Sequence, residues 1–123
     1  MTGTSFARSS IDRGLEMVVV AAGGAIGAGA RYGVELLVGP VAGTFAVNVV
    51  GAFALAVITA RVLEGRLMLF AGTGVLSSFT TYSTFVADAV STDPAVATGY
   101  VVASYVGGFL AAVAGLAVGG RSR

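Results

Sequence analysis

An all-α integral membrane protein with four transmembrane helices, the third broken near its middle, is the fold the sequence predicts. Three observations carry that reading. The chain of 123 residues is 56% apolar and 11% charged, with a mean hydropathy of +0.93, whereas a soluble domain carries about 25% charged residues to solvate its surface. Four apolar stretches each reach the roughly 20 residues needed to cross about 30 Å of hydrocarbon. The third stretch carries seven hydroxyls between Ser77 and Thr84, a cluster that a lipid-facing helix would not bear.

The first helix is expected over about 15–38, after a polar leader at 1–14 expected to be poorly ordered. The leader followed by an apolar run has the outline of a signal peptide. Three further apolar segments follow, however, and Arg31 would fall in the cleavage region, so the first segment is expected to remain. The second helix is expected over 41–60, after a turn at Gly39 and Pro40. The third is expected over 67–90, after the charged stretch Arg61, Glu64, Gly65 and Arg66, and the fourth over 95–118, after Ser91, Thr92, Asp93 and Pro94. A basic tail at 119–123 closes the chain and is also expected to be poorly ordered. Gly23 and Gly27, Gly29 and Gly33, and Gly115 and Gly119 have the four-residue spacing that lets helices approach closely in lipid, and packing is the expected role of each pair.

Without Cys or His the chain has no disulfide, no thiolate or imidazole metal ligand, and no Ser-His or Cys-His nucleophile, so enzyme chemistry is not expected. A net charge of +1 gives no reason to expect a nucleic-acid partner. All seven basic residues are arginine, and their positions matter more than their number. Four helices put Arg8, Arg13, Arg61, Arg66, Arg121 and Arg123 on one membrane face. By the positive-inside rule both termini are then cytoplasmic, with the chain a multi-pass protein of the inner (plasma) membrane, in contact with its lipid.

Several polar residues fall inside the expected spans. Asn48 lies in the middle of the second, with Thr44 one turn before it. An amide there needs a partner, and the candidates are an interhelical hydrogen bond or an anion accepting from its NH₂ group. The hydroxyls of Ser77 to Thr84 either bond carbonyls one turn back or mark an interrupted helix whose backbone meets an ion. Tyr82 and Phe85 share a helix face, as do Tyr100 and Ser104. Aromatic edges are positive and suit a small anion. Arg31 either pairs with Glu35, four residues on, or lines an aqueous vestibule that concentrates anions.

These residues resemble the Fluc/CrcB family of fluoride channels. The resemblance is carried by Gly23-Gly24-Ala25-Ile26-Gly27-Ala28-Gly29-Ala30-Arg31-Tyr32, by Gly43-Thr44-Phe45-Ala46-Val47-Asn48-Val49-Val50-Gly51, and by Thr80-Thr81-Tyr82-Ser83-Thr84-Phe85. It implies an antiparallel dual-topology dimer that lets fluoride leave the cytoplasm passively and lowers its toxicity. Asn48, Tyr82 and Phe85 would line the fluoride path, Thr81 with Ser83 or Thr84 would add hydroxyls, and Tyr100 and Ser104 would form a fourth-helix track. Arg31 would match the family's first-helix arginine, and a structural Na⁺ at the dimer interface would sit on the backbone carbonyls of Ser77 and Thr80. Two departures stand out: Ser77-Ser78 replaces the usual glycine pair, and Tyr82 replaces one of the usual phenylalanines.

An antiparallel homodimer requires each chain to insert both ways, which needs little arginine asymmetry. The bias here favours a heterodimer with a second, homologous chain of opposite orientation. A small multidrug exporter would need a carboxylate deep in the first helix, and Glu16 and Glu35 both lie near its ends. A purely structural membrane subunit would leave Asn48 and the hydroxyls unused.

Overall fold

The computed structural model describes the backbone of residues 2–121 and the side chains of residues 9–121. The described residues are helical throughout, joined by short turns, with no strand. Helix α1 spans Thr2–Val38 and α2 spans Pro40–Ala60. The third segment is a series of short pieces: α3 at Gly65–Met68, a π-helix at Leu69–Leu76, α4 at Ser77–Phe79 and α5 at Ser83–Ser91. Helix α6 spans Pro94–Gly120. Three helices are long and apolar enough to cross a bilayer, over Ser9–Val38, Pro40–Ala60 and Pro94–Gly120. The third segment, expected as a broken helix at 67–90, holds no continuous helix of that length and is interrupted between Phe79 and Ser83.

The termini also differ from expectation. The leader is helical and continuous with α1. No proline lies between Thr2 and Leu15, glycine there costs only about 1 kcal/mol each, and an established helix propagates one bond per residue. At about 1.5 Å per residue α1 is longer than the about 30 Å of hydrocarbon. At the other end α6 continues to Gly120 and Arg121 closes it with backbone bonds to Ala117 and Gly119. Ser122 and Arg123 lie outside the described residues, as does Met1.

The connections follow the punctuation of the sequence. Gly39 alone joins α1 to α2, at φ +91°, a conformation that glycine adopts without cost. Pro40 then occupies the first position of α2, where its missing N–H is no loss. Asp93 caps α6 by accepting from the Ala95 N–H at 3.0 Å, again with proline at the first position. Between α2 and α3, Val62 sits at φ +53°, where a β-branched side chain crowds the carbonyl and costs roughly 1–2 kcal/mol. Val62→Gly is therefore expected to stabilise the detergent-solubilised protein by about 1 kcal/mol. Its unfolding midpoint should rise, and a fall would show that the valine side chain holds that loop.

Two glycine pairs pack the molecule as expected. A Cβ at Gly23 would lie 2.5 Å from the Phe70 carbonyl oxygen, and one at Gly27 would overlap the Val75 carbonyl, so α1 rests directly on the backbone of the π-helix. Gly115 and Gly119 bring α6 equally close to Phe53 and Val57 of α2. Gly29 and Gly33 differ: nothing lies within 4 Å of where their Cβ atoms would be. Their spacing matches the packing pattern, but among the described residues no other element packs against these two positions.

Candidate functional site

The helical path of the third segment stops at Phe79 and resumes at Ser83. Neither proline nor glycine lies between them, so the interruption has another cause. Thr80 is extended at φ −80°, ψ 157°, and the side chain of Asn48 replaces the helical partners of the next residue. Thr81 N–H donates to Asn48 Oδ1 at 2.8 Å, and Asn48 Nδ2 donates to the Thr81 carbonyl at 2.9 Å. A two-point amide-to-peptide pair of this kind satisfies both backbone polar groups of Thr81. Gly51 admits the break against α2, because a side chain there would collide with Thr80 Cγ2.

A second diversion restarts the helix. Thr84 N–H donates to Thr81 Oγ1 at 3.2 Å, so Thr81 caps α5 from three residues back. Thr81 Oγ1 in turn donates to Thr84 Oγ1 at 3.1 Å and lies 3.4 Å from Ser83 Oγ. These diversions have a consequence for the carbonyls. In a continuous helix Thr81 N–H would bond the Ser77 carbonyl, and Thr84 N–H would bond the Thr80 carbonyl. Both N–H groups are bonded elsewhere, leaving those two carbonyl oxygens without their helical donors. Neutral backbone oxygens are ligands suited to a hard cation such as Na⁺. The hydroxyls of the same two residues bond backward to Thr73 and Leu76 carbonyls, as Ser and Thr commonly do in buried helices.

The break opens onto a cleft of about 620 Å³, lined among others by Asn48, Thr81, Tyr82, Phe85, Ser104 and Tyr105. Asn48 uses one of its two amide hydrogens on Thr81 and so keeps the other. Phe85 is buried and is the centre of an aromatic group. Its ring centroid lies 6.0 Å from Tyr82, 5.2 Å from Tyr100 and 6.0 Å from Tyr105, the last edge-to-face at 85°. Tyr82 is 72% exposed, so its ring and hydroxyl stand at the open side of the cleft. Helix α5 points its N-terminus, the positive end of its dipole, at the break.

Of the remaining residues singled out in the sequence, Ser83, Thr84 and Tyr100 flank the cleft without lining it. The Tyr100 hydroxyl is buried and faces Thr44 and Asp88, with no hydrogen bond completed by Tyr100, by Thr44 Oγ1 or by Asp88 Oδ2. Ser104 Oγ is likewise buried without a partner. Arg31 is not paired with Glu35. Among the described residues the ion pair is Asp12 to Arg66 at 3.5 Å, and Arg31 instead donates from Nη1 to Thr84 Oγ1 at 3.4 Å.

Sequence reasoning missed two participants and gave a third, Thr44, only as a neighbour of Asn48. Asp88 has no role in the sequence reading, but α5 runs on to Ser91 and holds it three residues after Phe85, half-buried beside Tyr100. Spacing from Phe85 and Thr84 was the available signal. Thr44, fully buried, was visible only through its one-turn spacing from Asn48, and Tyr105 had no signal in its own helix.

Comparison with known proteins adds the family. The model of the family described as CrcB-like protein, Camphor Resistance (CrcB), matches residues 18–116. The chain is similar to Fluoride-specific ion channel FluC 1 of Rhodococcus jostii (strain RHA1), at 44% identity over 87% of this chain and 87% of the relative. It is similar to Fluoride-specific ion channel FluC of Paracoccus denitrificans (strain Pd 1222), at 39% identity over 81% and 90%. Fluoride-specific ion channel FluC 2 of Leifsonia xyli subsp. xyli (strain CTCB07) is 44% identical over 86% and 77%.

Proposed function

The chain belongs to the CrcB family, and on that premise we propose that it is a fluoride-selective channel of the plasma membrane, not an enzyme, that lets fluoride leave the cytoplasm by passive conduction. The observation that carries this reading is the break at Thr80–Tyr82, held open by Asn48 at the wall of a largely apolar cleft into which a few neutral polar groups project. Moving a bare ion of carboxylate size into a medium of ε ≈ 4 costs on the order of 20 kcal/mol, so a conducted fluoride needs donors in place of its water. The free amide hydrogen of Asn48, the hydroxyls of Thr81, Ser83 and Thr84, and the positive edges of Tyr82 and Phe85 supply them, and Tyr100 and Ser104 continue the track on α6. None of these groups brings a fixed positive charge, which would hold the anion too tightly to release it.

In this reading the third segment, although discontinuous, completes a fourth passage through the membrane, and two chains assemble antiparallel. Na⁺ would be held between them by the carbonyls of Ser77 and Thr80, where it supplies charge that neutral ligands lack. Arg13, Arg61, Arg66 and Arg121 gather at one end of the molecule, where Asp12 bonds Arg66 and Gly119 packs on Ala60. That end is cytoplasmic by the positive-inside rule, and the bias favours a heterodimer with a homologous chain inserted the other way.

Two experiments test these points. Expression in bacteria lacking their own fluoride exporter, together with a homologous chain, should restore growth in fluoride; no restoration with both chains in the membrane contradicts the function. Reporter tags on both termini should report one membrane face, and comparable signal from both faces would remove the heterodimer.

A further inference from the structure

The unexpected partner of Arg31 suggests a role other than a charged vestibule. We infer that Arg31 is a positioning residue that makes Thr84 an obligate hydrogen-bond donor, and thereby biases the α5 end of the break towards anions. Thr84 Oγ1 receives a hydrogen bond from Arg31 Nη1 at 3.4 Å and another from Thr81 Oγ1 at 3.1 Å. A hydroxyl oxygen has two lone pairs and one hydrogen. With both lone pairs engaged, the remaining direction around the oxygen belongs to the hydrogen of Thr84 itself.

The orientation of the neighbouring hydroxyl is set in the same way. Thr81 Oγ1 accepts from the Thr84 N–H at 3.2 Å, a group that can only donate. Arginine likewise can only donate and keeps its charge at any accessible pH. Thr81 Oγ1 gives its hydrogen to Thr84 Oγ1, and Ser83 Oγ, 3.4 Å away, is left to donate into its second lone pair, so the Thr84 hydrogen is the one offered outward. An anion is bound by such a hydrogen. A cation needs the lone pair, and that is occupied.

Without Arg31 the Thr84 hydroxyl keeps its bond from Thr81 but has one lone pair open, so it can offer hydrogen or lone pair alike. Arg31 is placed for this task by α1, which lies against the third segment through Gly23 and Gly27. Its partnership with Thr84 also explains why it stands part-buried without an ion pair, although Glu35 is one turn away on the same helix. The inference rests on the reading that Thr84 stands on the fluoride path.

The test is a double-mutant cycle on fluoride and chloride efflux from liposomes containing the assembled channel, run at low and high ionic strength. Arg31→Met and Thr84→Val are each expected to lower the fluoride-to-chloride rate ratio by about tenfold, the effect of losing one oriented donor. The double variant should fall no further than the lower single variant, and salt should leave the deficit unchanged. If the double deficit equals the product of the singles, or the Arg31 deficit disappears in high salt, Arg31 acts through its long-range charge and the inference is overturned. Where Arg31→Met does not reconstitute, the same cycle with Arg31→Lys decides, since coupling to Thr84 survives only if the two residues touch. No fluoride flux from the parent channel is a different outcome and would defeat the functional reading itself.

Discussion

Asn48→Asp is expected to lower fluoride efflux by on the order of a hundredfold, about 2.7 kcal/mol of barrier, while the protein still assembles. Aspartate is nearly isosteric, and one carboxylate oxygen still accepts the Thr81 N–H that Asn48 Oδ1 accepts at 2.8 Å. The second oxygen replaces Nδ2, which donates to the Thr81 carbonyl at 2.9 Å, and so faces another acceptor. That substitution also removes the amide hydrogen available to a passing ion, and it places a negative charge on the wall of an anion path. Repulsion between like charges in a medium less polarisable than water raises the barrier steeply. Efflux traced with a fluoride electrode, beside size-exclusion profiles of the same samples, separates lost conduction from lost assembly. Unchanged flux from Asn48→Asp would place the path elsewhere.

The second large effect is expected in packing. Gly27→Val should destabilise the folded protein by about 3 kcal/mol, the upper end of the usual cost of overpacking, because its Cβ would overlap the Val75 carbonyl. Backbone on both sides leaves no flexible side chain to yield. Gly29→Ala, two residues further along the same helix, meets nothing within 4 Å and should change stability by less than about 0.5 kcal/mol, as for an ordinary surface substitution. Thermal unfolding in detergent, followed by loss of the monodisperse peak, reads both. Equal losses at the two positions would mean that close approach of α1 to the π-helix is not what Gly27 permits.

Much of the architecture was legible from local chemistry. The Gly39–Pro40 turn, the Asp93–Pro94 cap and the apolar lengths of α1, α2 and α6 follow from backbone preferences that act within a few residues. The hydroxyl cluster marked where the third segment is interrupted. Its cause was not legible, because the pair that holds it open joins Asn48 to Thr81, 33 residues apart, and periodicity along one helix does not say which face meets another. Arg31 illustrates the same limit. Spacing offered Glu35 at four residues, yet the folded chain supplies Thr84, 53 residues away. Tyr105 gained its place in the same manner, from helices brought together by glycines rather than from any pattern within its own segment. The π-helix at Leu69–Leu76 likewise has no signature in the sequence; it lies where α1 presses closest through Gly23 and Gly27.

The most direct measurement is efflux of fluoride and of chloride from liposomes holding this chain co-purified with a homologous partner. Rapid, voltage-driven release of fluoride with chloride retained is the expected result, since small donors spaced for fluoride do not replace the looser shell of a larger halide. Equal release of both anions, or none from correctly assembled protein, would contradict a fluoride path at the Asn48-held break.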